Sequence, residues 1–385
     1  MRQLKGILYT EAFRFEAGIL TIEGDRIKSV EPCSEKDLTK GQRGQYILPG
    51  FVDIHLHGCA GHDFCDGTVT AMRAIASCEL SHGMTTICPA TMTLPEEMLT
   101  DICVTCASVV ETELIQEGIF LGDVLQGIYL EGPFLSMEKR GAQNPAHIRK
   151  PDMEMLMRLQ CASGGLIKIV AIAPETENAV ECIRNGKDNM RFSIAHTCAD
   201  YETARAAIKA GATHVTHLYN AMPPYLHREP GVIGAAAESD RVTVELICDG
   251  NHVHPSVVRN TFRLFGAERI VLVSDSMRGA GMNDGEYALG GLPVRIKDGL
   301  ATLADGTLAG SVTNLFECVR TAVRMGVTLE DAVRAASFNP AAVIGIDGMC
   351  GSLQAGKRAD ILITDHELNL KEVIKSGITA MNRWR

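Results

Sequence analysis

The stretch PGFVDIHLHG, residues 49–58, places two histidines at the end of a run of mostly apolar residues. Seven more short apolar runs follow it through the middle of the chain, separated by helix-like intervals. Apolar strands that alternate with helices are typical of a parallel sheet covered on both faces. The eight strand candidates are FVDIHLH (51–57), MTTICPA (84–90), GIYLEG (127–132), IKIVAIAP (167–174), RFSIAH (191–196), THVTHL (213–218), TVELICDG (243–250) and RIVLVSD (269–275).

Eight such units, each a strand followed by a helix, predict an α/β fold of the TIM (β/α)8 barrel type, which typically takes about 250 residues. A doubly wound open sheet is the alternative. No glycine-rich dinucleotide turn follows the first strand, and the count of eight favours the barrel. We therefore assign residues 47–345 to this barrel.

The two ends of the chain have a different character. Residues 1–46 and 346–385 contain short strand-like runs and tight turns, such as AGILTIEGDRIKSVE (17–31). This pattern predicts a second, small β-sandwich domain built from both termini, to which residues 286–308 could also contribute. Ser311 is predicted to cap the helix that follows it.

Composition limits the classes of function. The chain has 385 residues, 46% hydrophobic and 22% charged, with a formal net charge of -10. The acidic balance argues against nucleic-acid binding, although a local cation could still hold an anionic substrate. No apolar run reaches the roughly 20 residues of a membrane helix, and no signal peptide is evident.

The chain contains 13 cysteines, and this odd number predicts reduced thiols in the cytoplasm. Cys103 and Cys106 form a CxxC, but no second pair completes a zinc site, which favours two apolar positions on a helix.

Polar residues that suit catalysis lie where the apolar strands end. His55 and His57 alternate along the first strand and should share a face. Candidate ligands or acids also end four other strands: Glu131, His196, His217 and Asp275. In a TIM barrel all of these positions lie at the C-terminal mouth, where the active sites of such enzymes are found.

Imidazole and carboxylate together suit Zn(II) or Fe(II), with one or two ions per subunit. A bound ion would polarise a carbonyl and lower the pKa of its water to about 7, and Asp275 would be the general base. Each residue alone is more often structural, since a lone strand histidine is usually a core residue. The joint arrangement favours a site, and His214 with the remaining histidines receives no role.

Two segments, PGFVDIHLHG (49–58) and GSLQAGKRADILI (351–363), resemble the amidohydrolase superfamily. A more specific resemblance is to the N-acetylglucosamine-6-phosphate deacetylase family, and its blocks keep that family's order along nearly the whole chain. The blocks are YLEGPF (129–134), KRGAQNPAHIRKPD (139–152), HLYNAMPP (217–224), REPGVIG (228–234), CDGNHVHP (248–255), VSDSMRGAGMNDGEY (273–287) and LAGS (308–311).

This resemblance implies hydrolysis of the N-acetyl group of N-acetyl-D-glucosamine 6-phosphate. It implies that Glu131, His196 and His217 hold the principal metal, that Asp275 is the acid/base, and that the subunits form dimers or tetramers with some phosphate contacts across the interface. The implied substrate contacts are Ala142, Gln143, Asn220, Ala221, Arg228, Asp249, His252, Leu308, Ala309 and Gly310.

For four of these positions the residue type itself supports the implied contact. Arg228 could hold a phosphate through two parallel hydrogen bonds. Asn220 and Ala221 follow a strand, so their backbone N–H groups could be free for an anion. Gly310 permits a close approach of backbone to ligand.

Two features vary within the family. Some members have Gln and Asn in place of the two strand histidines and bind one metal. His55 and His57 therefore allow a second metal, with Glu131 as the bridge. Gln143 stands where many members have His, and a neutral amide cannot carry positive charge toward an oxyanion.

Other activities stay open at this stage. A cyclic amidase would use a carboxylated lysine at the end of strand four, but Lys168 lies near the start of that strand. A deacetylase for the galactosamine epimer leaves no readable difference in motif. A non-catalytic assembly protein would have lost ligands that this chain retains.

Overall fold

The computed structural model describes residues 1–382, and its strands are numbered β1 to β23 along the chain. Segments from both termini form one seven-stranded sheet in the order β23-β22-β21-β4-β1-β2-β3. Its strands are β1 Arg2–Tyr9, β2 Phe15–Glu23, β3 Arg26–Pro32, β4 Gln45–Pro49, β21 Ile361–Asp365, β22 Leu370–Lys375 and β23 Ile378–Asn382. The prediction of a small β domain built from both ends of the chain is confirmed.

A parallel barrel occupies the middle of the chain, as predicted. Strands β17-β16-β15-β14-β13-β12-β9 form one sheet, and β5 pairs in parallel with β8. The barrel strands are β5 Phe51–Asp53, β8 Met84–Ile87, β9 Ala90–Thr91, β12 Ile128–Leu130, β13 Ile167–Ile172, β14 Arg191–Ile194, β15 His214–Val215, β16 Thr243–Ile247 and β17 Ile270–Val273. The last and first strands are joined just beyond their ends, where Asp275 N–H donates to the carbonyl oxygen of His55 at 2.9 Å.

Helices cover the barrel and alternate with its strands along most of the chain. They are α2 Val69–Ser81, α3 Glu96–Val109, α4 Leu121–Val124, α5 Met153–Ala162, α6 Ala179–Gly186, α7 Tyr201–Ala210, α8 Gly231–Ala237, α9 Pro255–Phe265, α10 Leu315–Arg324, α11 Leu329–Ala336 and α12 Phe338–Val343. The short helix α1 Lys40–Arg43 packs instead against β1 of the terminal sheet. Among the described residues, no helix is both long and apolar enough to cross a membrane. Cys103 and Cys106 are buried on α3.

One capping prediction is wrong. Asn314 caps α10, and its side chain accepts from Glu317 N–H. The Ser311 hydroxyl instead donates to the carbonyl oxygen of Ser274 at 2.6 Å, and the Ser311 N–H donates to Asp275 O at 2.7 Å. Ser311 therefore holds the segment that follows β17 and leaves the helix start to a residue three positions later.

Three small sheets lie outside the two main ones in the described chain. Strands β18 Gly285–Leu289, β19 Leu292–Lys297 and β20 Leu300–Thr302 hydrogen-bond to one another. The segment 286–308 thus supplies strands to a sheet of its own and none to the terminal sheet. The domain limits 1–46, 47–345 and 346–385 stay a prediction. The other two small sheets are strand pairs. One is β6 Gly58–Cys59 with β7 His62–Asp63, and the other is β10 Leu114–Gln116 with β11 Ile119–Phe120.

The barrel interior is an apolar cluster beneath a polar mouth. Val52, Tyr129, Ile169 and Val271, from four different strands, pack together in this cluster and are fully buried. Layers of this kind make the barrel a packed core and not a pore. Polar side chains are therefore expected in the interior only where they are paired or functional.

Candidate active site

Glu131 is the centre of the polar mouth of the barrel. Its Oε1 lies 3.2 Å from Nε2 of His196, 3.2 Å from Nε2 of His217 and 3.5 Å from Nε2 of His55. Its Oε2 lies 3.3 Å from Nε2 of His57. One buried carboxylate thus faces four imidazole nitrogens, in two candidate metal-binding groups that share Glu131.

Hydrogen bonds fix the orientation of three of the four imidazoles. In each of the three rings, Nδ1 lies beside an oxygen that can only accept, which assigns the proton to Nδ1 and the lone pair to Nε2. The three contacts are His196 Nδ1 to Lys139 O at 2.9 Å, His57 Nδ1 to Ala90 O at 3.3 Å, and His55 Nδ1 to Glu245 Oε2 at 2.8 Å.

In the neutral rings these lone pairs would face the Glu131 carboxylate, and acceptor would face acceptor unless a proton or a metal cation lies between them. Nε2 of His196 also lies 3.2 Å from Nε2 of His217. Burial lowers the pKa of His57, but the carboxylates of Asp275 and Glu131 outweigh it and raise the pKa to about 10. For Glu131, burial raises the pKa, but the surrounding histidines hold it well below its ordinary value. This cluster requires a positive charge at its centre, and the donor set fits a divalent metal.

The backbone at three of these residues is strained. His196, His217 and Asp275 have φ values of 42°, 27° and 49°, in the left-handed region that non-glycine residues avoid. Each follows the last residue of its barrel strand by two residues. Strain of this kind costs of order 1–3 kcal/mol per residue and clusters at functional sites.

Asp275 stands beside the group formed by His55, His57 and Glu131. Its Oδ1 lies 3.3 Å from His57 Nε2 and 3.8 Å from His55 Nε2. Gly310 passes close to Asp275, because a Cβ on Gly310 would lie 2.8 Å from Asp275 O. The close approach that Gly310 permits in this structure is thus to the Asp275 backbone.

A cavity of ≈ 440 Å³ opens over this cluster, within the size range of small-molecule sites. Twelve of the residues predicted from the sequence line it: His57, Glu131, Ala142, Gln143, His196, His217, Asn220, Ala221, His252, Asp275, Leu308 and Gly310. Eight other lining residues were not predicted: Met92, Glu138, Lys139, Arg140, Gly141, Leu289, Asp305 and Thr307. Lys139 and Arg140 are cations at the rim, where an anionic group of a ligand could bind.

Four predicted residues lie outside the lining of this cavity. His55 and Ala309 are fully buried. Asp249 lies behind His252 and accepts from its Nδ1 at 2.8 Å. Arg228 is exposed and contacts Nε2 of His227 at 2.6 Å. Arg228 therefore has no place in the wall of this cavity.

One expectation about backbone donors is wrong. The Asn220 N–H is not free for an anion, because it donates to His217 O at 3.0 Å in a turn. The Asn220 side chain donates to His217 O as well. Asn220 therefore holds the segment that carries His217, and it also lines the cavity.

Gln143 is directed at Glu131. Its Nε2 donates to Glu131 Oε2 at 2.6 Å, and its Oε1 accepts from Thr93 N–H at 2.7 Å. The side chain is buried, so both amide ends are fixed. The sequence interpretation assigned Gln143 to a substrate contact alone, whereas in the structure its amide donates to the Glu131 carboxylate.

Glu245 and His214 are polar residues in the barrel interior that the sequence interpretation missed. Glu245 Oε2 contacts His55, and its Oε1 contacts His214 Nε2 at 3.0 Å. A glutamate inside the otherwise apolar strand TVELI was the available signal, because an unpaired charge is rarely buried there.

The mouth of this parallel barrel carries buried imidazoles and carboxylates, and Asp275 stands beside them at a cavity. This arrangement defines a class of protein. That class is the metal-dependent hydrolases built on TIM barrels.

Comparison with known proteins narrows the class. The model of the amidohydrolase family matches residues 46–382. The chain is 38% identical to N-acetylglucosamine-6-phosphate deacetylase of Bacillus subtilis, over 94% of this chain and 90% of that protein. It is 35% identical to N-acetylgalactosamine-6-phosphate deacetylase of Escherichia coli O157:H7, over 97% of both. The chain belongs to the amidohydrolase family and is a metal-dependent amide hydrolase.

Solved structures agree with this assignment. A variant of N-acetyl-D-glucosamine-6-phosphate deacetylase from Mycobacterium smegmatis, solved with N-acetyl-D-glucosamine-6-phosphate, has a TM-score of 0.91 at 35% identity, covering 99% of both chains. The corresponding enzyme of Thermotoga maritima has a TM-score of 0.88 at 30% identity, covering 99% of this chain and 100% of that one.

Proposed function

We propose that this chain hydrolyses the acetamide of N-acetyl-D-glucosamine 6-phosphate to D-glucosamine 6-phosphate and acetate. The observation that carries the proposal is the convergence of four imidazoles on Glu131 beneath a cavity with Lys139 and Arg140 at its rim. The hexosamine-phosphate deacetylases among its relatives support the substrate class.

The chain's own residues divide the chemistry among them. Glu131, His196 and His217 would hold the principal metal, Zn(II) or Fe(II), and His55 and His57 would complete a second position with Glu131. When bound, such a metal activates water and polarises the amide carbonyl. Asp275 accepts the proton from the attacking water at its carboxylate and returns it to the leaving nitrogen.

Other residues of the cavity bind and orient the substrate. The Asp249 carboxylate accepts from His252 Nδ1, which orients His252 toward the cavity. Ala142, Leu308 and the backbone of Gly310 form walls that would enclose the acetyl group and sugar ring.

A panel of N-acetylated sugar phosphates tests the proposal. Acetate release from N-acetyl-D-glucosamine 6-phosphate by Zn(II)- or Fe(II)-loaded protein is the expected result. Elemental analysis of the same samples gives the identity and number of the ions. Absence of acetate release from every phosphorylated hexosamine, in a fully loaded protein, would exclude the proposed activity.

The galactosamine epimer is a second candidate substrate, because the Escherichia coli relative named for it is 35% identical over 97% of both chains. The panel therefore contains both epimers. The kcat/KM for N-acetylgalactosamine 6-phosphate should be the lower of the two, and the reverse order would assign the chain to the galactosamine substrate.

Replacing Gln143 with leucine should weaken metal binding about 10–100-fold, the usual effect of removing a hydrogen-bond partner from a metal ligand. The reason is that Glu131 Oε2 loses its amide donor. Competition with a chromophoric chelator measures the affinity. If Gln143 acts only on the substrate, metal affinity will stay at the parent value while KM rises.

Arg228→Ala should raise KM for the phosphorylated sugar about 10–100-fold, since a hydrogen bond to a charged group contributes roughly 1.5–3 kcal/mol. KM for unphosphorylated N-acetylglucosamine should change little. Because Arg228 lies outside the lining of this cavity, we propose that it reaches the site of a second subunit in a dimer or tetramer.

Arg140→Ala is the comparison variant, because Arg140 lines the cavity of its own chain. A phosphate-selective rise in KM for Arg140→Ala, with none for Arg228→Ala, would place the phosphate at the rim. Equal effects of Arg228→Ala on both sugars would remove its phosphate role.

A further inference from the structure

A buried polar chain runs through the barrel interior beneath the metal-binding groups. The Glu245 carboxylate is fully buried, on the barrel strand β16. Its Oε2 accepts from His55 Nδ1 at 2.8 Å and from His217 N–H at 3.0 Å. Its Oε1 accepts from His214 Nε2 at 3.0 Å. Both oxygens of the carboxylate are therefore fixed.

His214 continues this chain away from the mouth. Its Nδ1 lies 2.6 Å from the Thr243 hydroxyl, so both nitrogens of the ring have partners. The His214 ring is fully buried, as is Glu245. The Thr243 hydroxyl thus orients His214, and His214 orients Glu245.

An ionised carboxylate is expensive in such a place. Burying a charge costs several kcal/mol even after relaxation, and apolar residues of similar size are often as stable or more so. The neighbouring interior residue on this strand, Ile247, packs in the apolar cluster. A glutamate here is therefore better explained by what it does for His55 than by packing.

Glu245 contacts the two candidate metal-binding groups unequally. Among the ligand side chains only His55 bonds to this carboxylate, whereas His57 and His196 bond to neutral backbone carbonyls. His217 Nδ1 has no hydrogen-bond partner among the described residues. Glu245 reaches His217 only through its backbone N–H.

We propose that Glu245, held by His214, is a positioning residue that keeps the His55 Nε2 lone pair directed at the second metal position and so sets its affinity. A carboxylate that accepts from Nδ1–H fixes the ring orientation and increases the basicity of Nε2. The position formed by His55, His57 and Glu131 therefore depends on Glu245 through a ligand side chain, whereas the position formed by Glu131, His196 and His217 meets it only at the His217 backbone N–H. The inference rests on the metal dependence of the proposed function and on no property of the sugar.

The test counts and ranks metal sites without substrate. Metal-free protein, prepared by dialysis against a chelator, is titrated with Zn(II) in competition with a chromophoric chelator. The parent chain should bind two ions. Glu245→Gln should bind the first with near-parent affinity and the second about 10–100-fold more weakly. Glu245→Asp, which retains the charge, should recover part of this loss.

Glu79→Gln is the matched control, because Glu79 is another glutamate that is almost fully buried, on α2 and outside both groups. It should leave both affinities unchanged. His55→Asn should abolish binding of the second ion, and adding Glu245→Gln to it should cause no further change in the first. Weaker binding of the first ion in this double variant would contradict a role of Glu245 that is confined to His55, and would assign it an effect through the His217 N–H.

Several outcomes would overturn the proposal. They are parent-like binding of two ions by Glu245→Gln, equal weakening of both sites, the same weakening in Glu79→Gln, and a parent chain that binds only one ion. If circular dichroism shows that Glu245→Gln is unfolded, His214→Gln decides, and it must selectively weaken the second ion. A chain that loads metal as expected but releases no acetate refutes the proposed function and leaves this inference intact.

Discussion

Asp275→Asn should lower kcat for acetate release about 10²–10⁴-fold, the usual contribution of a general acid/base. The amide that replaces the carboxylate has nearly the same shape but cannot accept the proton of the attacking water. Asp275 is held from both sides, since its N–H donates to His55 O and its carbonyl accepts from Ser311 N–H. The backbone should therefore stay in place, and the loss should fall on kcat.

Elemental analysis distinguishes this role from metal binding. Asp275→Asn should retain near-parent metal content, because the two ligand groups stay complete without it. Asp240→Asn, the same change at an exposed position just before β16, is the matched control and should keep parent kcat. Parent-level activity in Asp275→Asn would assign Asp275 another role. A loss of activity that tracks a loss of metal would make it a ligand.

The fold could be predicted from the sequence because its signals are local and repeated. Each barrel strand is a short apolar run, and the order of eight runs with helices between them admits few topologies. The terminal sheet was harder to define, because its strands come from opposite ends of the chain and pair over long separations, as β4 does with β21. The segment 286–308 resembled those ends in composition but forms β18 to β20 instead.

Part of the site could not be predicted because it depends on irregular backbone. The run FVDIHLH predicted one strand over 51–57, but β5 ends at Asp53. Val52 and Ile54 lie in the interior cluster, and His55 also reaches the interior, where it contacts Glu245. Two consecutive residues cannot both face inward in a regular strand. The backbone therefore departs from regular strand geometry just where the candidate ligands begin. The strand propensities of the residues do not indicate this departure.

Contacts between side chains that are separated along the chain could not be predicted from the sequence either. Gln143 is twelve residues from Glu131, and only the folded loop shows that its amide donates to the carboxylate. His214 was given no role, since the strand pattern alone could not show that Glu245 lies beside it. The candidate ligands could be proposed because polar residues at strand ends can be recognised in the sequence, whereas the residues that orient them are brought together only by the fold.

Glu131→Gln should have the largest effect of any single change in the site. Its carboxylate is shared by both metal-binding groups and faces Nε2 of all four histidines. An amide has one oxygen acceptor, and its NH₂ would face imidazole lone pairs or the Gln143 amide. Metal affinity should fall by more than the roughly 10–100-fold cost of losing a ligand's hydrogen-bond partner.

Deacetylation should fall with the metal, by more than about 10³-fold, because a bound metal lowers the pKa of water from about 15.7 to about 7 and the variant loses that effect. Chelation of the parent chain should give the same loss and readdition of Zn(II) should reverse it, whereas Glu131→Gln should not recover. Glu154→Gln, an exposed change on α5, is the control for the substitution itself. Full metal content in Glu131→Gln would contradict the proposal that Glu131 is a ligand shared by both metal-binding groups.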